Sequence, residues 1–214
     1  MRSVFTCALV AALAVAPVGA EPVDAQDSLR RALSRSELAR LGRGRLVVRS
    51  TTERRGSLRL IGGTSYQVVD LTPDQVWRAL NDRGRYLRHM LPSTESAREI
   101  RRRGNVRTMR LVHAYGLVSA SYAVNFTYDA AHKTVVFRLA DDEPRDLRAG
   151  WGFIRVRPWG DDGTQTLLSF GMMADVGTGL VSGALRPTLH EWMMKVPWTI
   201  KKYLEGSGRS RYDR

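Results

Sequence analysis

Alternation of apolar and polar residues dominates the middle of the chain and predicts a run of β-strands. From Val118 to Tyr128, apolar side chains occupy every second position. This two-residue period places the apolar set and the polar set on opposite faces of a strand. Extended segments of the same kind follow one another from Ala97 to Ala174, with polar turns such as 160–163 between them. We therefore predict a sheet of consecutive antiparallel strands.

A helical period replaces this alternation near the end of the chain. From about Leu185 to Leu204, apolar residues recur every three or four positions, which predicts a long amphipathic helix. Pro197 lies inside this stretch, and we predict a kink there because proline lacks a backbone N–H. The polar residues 206–214 predict a flexible tail.

Two short helices are predicted between the first main strand, 64–70, and the rest of the sheet. Thr72 can cap the first helix, Pro73 suits its first position, and Gln75 completes a capping box. The second helical turn stops before Pro92.

Residues 21–62 are predicted as an extension that precedes this main domain, 63–205. Leucines at near-helical spacing within 27–41 indicate a short amphipathic helix. The extended segments 45–50 and 57–61, joined by a polar stretch, suggest a hairpin.

The first twenty residues have the pattern of a secretory signal peptide. Arg2 precedes an apolar run, Pro17 ends that run, and Ala20 closes a small-residue cleavage site. The alternative is a membrane-spanning helix, but such a helix needs about 20 apolar residues and this run is shorter. We therefore expect an exported, periplasmic or secreted protein. Its one cysteine, Cys7, lies in the signal, so we expect no disulfide.

The formal net charge of +13 changes the picture of possible partners. In an exported protein, nucleic acid is not an expected partner, and attraction to anionic lipid headgroups is the better functional interpretation. A solvated basic surface is the alternative. Six arginines on one predicted hairpin form the candidate membrane or anion patch: Arg98, Arg101, Arg102, Arg103, Arg107 and Arg110.

The segment from Tyr66 to Asp82 resembles the opening of START-like proteins, the SRPBCC or helix-grip superfamily. The carriers of this resemblance are a strand ending in Asp70, a turn with Pro73, Val76-Trp77 at a helix start, and later Met90-Leu91-Pro92. The resemblance covers about residues 64–204. It implies an α+β fold in which a curved antiparallel sheet of about six to seven strands wraps around the long helix. It also implies a cavity for a lipid, sterol, quinone or other apolar molecule, and a minority of such proteins are cyclases.

The inward faces of the strands and the closing helix supply candidate cavity walls. The alternative is that the same side chains fill a solid core. The candidates for ligand binding are Tyr122, Val124, Phe126, Phe137, Trp151, Phe153, Phe170, Met172, Trp192, Met193 and Val196.

Two histidines, His89 and His113, are candidates for acid–base catalysis, with a merely hydrogen-bonded or exposed ring as the alternative. The motifs of phosphate-binding loops, nucleophile elbows and helical metal sites are missing from the sequence, so we expect neither a cofactor nor a metal.

The expected function is binding or transfer of a hydrophobic ligand by a monomer. A cyclase or hydrolase using a cavity histidine, or a non-catalytic envelope interaction protein, are the alternatives.

Overall fold

One antiparallel sheet organises the protein. The computed structural model describes residues 32–82, 87–115, 118–177 and 186–213. Eight strands pair in the order β1-β2-β8-β7-β6-β5-β4-β3. They are β1 (Val47–Arg55), β2 (Leu58–Val69), β3 (Thr94–Arg103), β4 (Val106–Tyr115), β5 (Val118–Asp129), β6 (Thr134–Leu139), β7 (Ala149–Trp159) and β8 (Gln165–Asp175). The predicted α+β helix-grip class is confirmed, with one or two more strands than expected.

Six helices accompany the sheet within the described residues. They are α1 (Arg35–Gly42), α2 (Pro73–Asn81), α3 (Leu87–Met90), α4 (Arg186–Met194), α5 (Val196–Glu205) and α6 (Arg209–Tyr212). The start of α2 is as predicted: Thr72 accepts from the backbone N–H of Gln75, and the Gln75 side chain accepts from that of Thr72. Residues 1–20, with the predicted signal and Cys7, lie outside the described residues. Among the described residues, no helix is both long and apolar enough to cross a membrane.

The closing helix is broken at Lys195, between α4 and α5. Pro197 has no N–H to donate to the preceding turn, so a continuous helix would lose a hydrogen bond there. The predicted kink is therefore present as a break. After it, α5 buries Val196, Ile200 and Leu204 in the main core. That core lies on the inner face of the sheet and also includes Val76 and Trp77 of α2.

The predicted hairpin of the extension belongs to the same sheet, and the boundary suggested at residue 63 falls inside β2. β2 runs unbroken through Gly62 and Gly63, and β1 pairs with it along its length. A Cβ at Gly62 would lie 1.9 Å from the carbonyl oxygen of Met172. The two glycines thus keep β2 continuous where its neighbours approach closely, so the segments predicted separately at 57–61 and 64–70 form one strand.

A second apolar cluster covers the outer face of the sheet. Leu33, just before α1, and Leu41, in its last turn, pack with Val47, Tyr66 and Leu167. Helix α1 begins at Arg35 with a capping box between Ser34 and Glu37. Glu37 also binds the Arg49 guanidinium, and this bond contributes most to lowering the pKa of Glu37 to about 2. The extension therefore packs on the sheet as part of the same body.

The prediction of a flexible tail is wrong for most of residues 206–213. The last helix, α6, packs back on α2 and buries Tyr212. The Tyr212 hydroxyl donates to the Asp82 carboxylate at 2.8 Å. The segment is polar in composition, so the sequence did not indicate that the Tyr212 ring is buried in the main core.

We expect Tyr212→Ala to lower the free energy of unfolding by about 3 kcal/mol, because it removes a buried ring and leaves a cavity. Urea unfolding followed by circular dichroism measures this change. The exposed neighbour offers a matched control, Ser210→Ala, which should change stability little. Equal stabilities of the two variants would mean that the tail does not pack in solution.

Candidate ligand cavity

An apolar cavity of about 190 Å³ lies between the inner face of the sheet and the helices α3 and α4. The strands β4 to β8 form its floor, and Leu91, Leu189 and Trp192 form part of its roof. Its walls are almost entirely aliphatic or aromatic. The titratable side chains among the described lining residues are those of His113 and Tyr122. Such a space suits an apolar molecule with one polar group.

The structure places ten predicted ligand-binding residues on the cavity wall. They are Tyr122, Val124, Phe126, Phe137, Trp151, Phe170, Met172, Trp192, Met193 and Val196. Trp151 borders the cavity but shares the strand face of Phe153, and the Arg55 guanidinium carbon lies 5.8 Å from its ring centroid. The position of these residues agrees with the prediction, and their contact with a ligand stays a prediction.

Phe153 is the exception, because it lies on the outer face of the sheet. It pairs with Val136, which is 50% exposed, and with Gly171. Its ring covers Gly171, where a Cβ would lie 2.5 Å from the ring edge, and Arg155 lies 5.1 Å from the ring centroid. The neighbouring Gly152 takes the inward position in β7. Side chains alternate along a strand, so Phe153 has to point outward.

Three stacked or tilted rings build one wall. Phe137 lies 5.9 Å from Phe126 and 5.8 Å from Phe170, measured between ring centroids. Gly152 makes room for this arrangement, since a Cβ there would lie 2.4 Å from the Phe137 ring. The sequence prediction missed most of the aliphatic lining. It omitted Leu87, Leu91, Leu111, Leu139, Leu147, Ile154 and Leu189, which carry no signal that separates cavity wall from ordinary core.

His113 brings the polar group into this wall. Its Nδ1 lies 3.0 Å from the carbonyl oxygen of Pro92 and 3.2 Å from the hydroxyl of Thr94. Its ring stacks on Tyr122 at 5.5 Å between centroids. Its Nε2 is buried and has no hydrogen-bond partner among the described residues. Of the two candidate histidines, His113 therefore lies on the cavity wall.

Burial controls the charge of both polar groups. Desolvation lowers the pKa of His113, although its bond to Pro92 acts in the opposite direction. Desolvation also raises the pKa of Tyr122. Both side chains are therefore neutral near pH 7, and the cavity presents no net charge to a ligand.

The other candidate histidine, His89, is outside the cavity. It is exposed on α3, stacks on Tyr203 at 5.6 Å between centroids, and accepts from the Arg88 Nε at 3.2 Å. It lines an open surface groove of about 710 Å³ together with Trp192, Trp198 and Lys202. The turn of α3 directs Leu87 and Leu91 into the cavity, so His89 points the other way.

Comparison with known proteins identifies the architecture. No protein-family model and no curated protein matches this sequence. The solved structure of TTHA0849 from Thermus thermophilus matches with a TM-score of 0.58 and 18% identity, over 69% of this chain and 97% of that one. The Zhui aromatase/cyclase from Streptomyces sp. R1128 matches with a TM-score of 0.57 and 16% identity, over 71% and 95%. A STAR-related lipid transfer protein from Xanthomonas axonopodis gives 0.54 and 13%, over 73% and 98%.

The chain has the START-like, helix-grip fold. The predicted resemblance is thus confirmed for the fold. One of these neighbours is named as an aromatase/cyclase and another as a lipid transfer protein, and identities this low carry neither activity over to this chain.

The predicted arginine patch is not a single free surface of this helix-grip sheet. Arg107 is buried: its guanidinium donates to the backbone and side-chain oxygens of Asn81 and lies 4.7 Å from the Tyr128 ring centroid. Its position alternates inward in β4, which sequence spacing alone did not reveal.

The remaining arginines of the patch divide into two groups. Arg101 binds Asp142 at 2.8 Å, and Arg110 binds Glu143 at 2.7 Å. The bond from Arg101 contributes most to lowering the pKa of Asp142. Arg98, Arg102 and Arg103 are exposed. The acidic loop after β6 therefore offsets much of the charge that the sequence assigned to a membrane surface.

No group of three or more possible metal ligands occurs within the described residues.

The neutral state of His113 leads to a pH prediction. The folded pKa is lower than the unfolded value near 6.5, so the unfolded chain binds more protons as the pH falls. Stability from this group is complete above about pH 6.5 and is lost as the pH falls through the folded pKa. Each unit of lowering corresponds to about 1.4 kcal/mol.

We expect wild type to lose more stability than His113→Phe between about pH 7.5 and pH 5, because the phenyl ring cannot titrate. Urea unfolding at both pH values measures the difference. The exposed His132 gives the control variant His132→Phe, which should retain the wild-type response at His113. Identical pH dependence in wild type and His113→Phe would show that this ring titrates normally.

Proposed function

We propose that this protein binds a small hydrophobic ligand, a lipid or a comparable apolar molecule, and carries it between sites. The observation that carries this proposal is the apolar cavity between the sheet and α4, with neutral polar groups at His113 and Tyr122. The helix-grip fold agrees with such a role, since the Xanthomonas neighbour is named as a lipid transfer protein.

The size of the cavity limits what enters it. A cavity of about 150 Å³ holds benzene, and drug-sized ligands occupy about 300 Å³ or more. At about 190 Å³, the cavity takes a molecule somewhat larger than benzene or one end of a longer lipid. A bulkier ligand requires α3 and α4 to separate.

The enzyme alternative has less support than binding. His113 is the one candidate histidine on the cavity wall, and no carboxylate hydrogen-bonds to it among the described residues. An acidic partner would raise the pKa of this ring toward the value that a general base needs, whereas burial lowers it. The envelope-interaction alternative predicts a filled core and an apolar surface patch. The exposed large hydrophobic residues, Val48, Val136 and Trp198, instead lie on three different elements.

Export is part of the proposal. The apolar run before Pro17 and the small residues up to Ala20 support a cleaved signal peptide. A carrier of apolar molecules is useful in an aqueous envelope compartment, where such molecules dissolve poorly. The proposed site of action is therefore outside the cytoplasm.

We expect a bulky side chain at Ala120 to abolish ligand retention, because Ala120 lines the cavity on β5. Native mass spectrometry of the purified full chain should show an apolar adduct in wild type and lose it in Ala120→Phe. The control, Val136→Phe, adds bulk to an exposed position of β6 and should keep the adduct. Absence of an adduct from wild type, or its persistence in Ala120→Phe, counts against the proposal.

The proposed membrane contact lies beside the cavity, at the groove between α3 and α5. Pro92 and Trp192 line both the groove and the cavity, so a ligand leaving the roof would emerge there. Trp198 is 44% exposed on this face, and the Lys202 ammonium lies 5.5 Å from its ring centroid. Arg88 is exposed nearby on α3.

This combination suits an anionic bilayer surface. Indole rings favour the membrane–water interface, and each lysine or arginine near an anionic surface contributes about 1 kcal/mol. Lys195 adds little, because it binds Glu191 at 2.6 Å. The groove thereby replaces the arginine hairpin as the proposed membrane contact.

We expect Lys202→Gln to weaken binding to mixed phosphatidylglycerol–phosphatidylcholine vesicles about fivefold, and Trp198→Ala to weaken it further. Vesicle co-sedimentation at low salt measures the partition. Arg102→Gln and Val136→Ala change exposed residues on the sheet and should have smaller effects. If Arg102→Gln weakens vesicle binding more than Lys202→Gln does, the membrane contact lies at the arginine hairpin and not at the groove.

A further inference from the structure

His113 lines the cavity, and its Nε2 is a buried atom with no hydrogen-bond partner among the described residues. The carbonyl of Pro92 can only accept a hydrogen bond, so the proton of the neutral ring resides on Nδ1. The Thr94 hydroxyl lies within 3.3 Å of the carbonyl oxygens of Leu91 and Pro92, and its single proton is shared between these two acceptors. Its oxygen is thus left to accept from the same Nδ1–H. The tautomer is fixed, and Nε2 carries a lone pair.

The environment of this lone pair specifies the missing group. Nε2 is buried, and no donor lies within hydrogen-bond distance among the described residues. A buried acceptor without a donor costs about 1–3 kcal/mol of free energy. A ligand that supplies a donor removes this cost when it binds. A carbonyl, ether or carboxylate oxygen would meet the lone pair with another lone pair and gain nothing.

The neighbouring Tyr122 does not satisfy Nε2. Its ring is nearly parallel to the imidazole, with an interplanar angle of 7°. In this stacked arrangement the two rings meet face to face, and no hydrogen bond joins them. The stack fixes the plane of the imidazole, and the bonds at Nδ1 fix its rotation. The orientation of Nε2 is thus set before a ligand binds, and a ligand donor reaches this buried atom by displacing the side chains that cover it.

We propose that the cavity selects a hydrophobic molecule bearing a hydroxyl group, with this hydroxyl donating to Nε2 of His113. The proposal rests on the proposed ligand-binding function and names its ligand class. Lowering of the histidine pKa by burial supports it, because an imidazolium would instead favour fatty carboxylates. The selected class is an apolar alcohol or phenol, in preference to the hydrocarbon, ether or acid of the same shape.

The test compares 2-naphthol with 2-methylnaphthalene, two probes of nearly equal size that differ in the donor. Calorimetry or fluorescence titration of the full chain gives the ratio of their dissociation constants. Comparing this ratio between protein variants cancels the different solubility of the probes in water. We expect His113→Phe to reduce the preference for naphthol about tenfold relative to wild type. His113→Gln restores an acceptor and should recover part of the preference.

Controls separate the possible failures. His132→Phe replaces an exposed histidine and should leave the ratio unchanged, and circular dichroism shows whether each variant is folded. A ratio that is the same in wild type and His113→Phe, with both probes bound, overturns the inference and leaves the proposed function intact. A preference lost in Tyr122→Phe and kept in His113→Phe assigns the hydroxyl contact to the phenol and also overturns it. Failure of wild type to bind either probe overturns the proposed function itself.

Discussion

The break in the closing helix is the constraint on which the rest of the structure depends. Two successive helices, α4 and α5, lie against the inner face of the sheet, and Pro197 cannot donate the hydrogen bond that would join them into one. Beyond the break, α5 buries Val196, Ile200 and Leu204 and fills its part of the core. Before the break, α4 is less buried: among its residues whose burial is described, Met194 alone is fully buried. The cavity lies beneath this helix. One half of the helix thus provides stability, while the other half provides space.

The sheet itself is poorly placed to open this space. Near β2 and β8 it is covered on both faces, by the main core inside and by the cluster of Leu41, Tyr66 and Leu167 outside. Separating these layers would expose apolar surface on two sides at about 25 cal/mol per Å². The short helix α3 and the weakly buried α4 expose less when they move, and local opening favours the elements with the least burial. The entrance is therefore expected on the helical side, beside Trp192.

Sequence periodicity predicted the sheet, the helix and ten of the residues on the cavity wall, because alternation along β5 and β6 fixes which side chains point inward. It did not place Phe153 or Arg107, since assigning a face requires the register between strands as well as the pattern within one. Pairing of Phe153 with Val136 and burial of Arg107 beside Asn81 are contacts over long sequence distances. The buried place of Tyr212 was likewise invisible, because Asp82 is 130 residues away in the chain. Local composition alone indicates a tail there.

The polar atoms of the cavity wall determine which ligands are selected more than the cavity volume does. A wall of aromatic and aliphatic groups accepts any apolar molecule of suitable size, and each added methylene contributes only about 0.8 kcal/mol of burial. Discrimination requires a polar group that cannot turn away from the ligand. His113 is such a group, because the carbonyl of Pro92 and the stack on Tyr122 hold its ring in one orientation. Pro92 also lines the surface groove beside Trp198. Movement of the α3–β3 connection that opens the roof would therefore also release the imidazole, so ligand selection and ligand release depend on the same few residues.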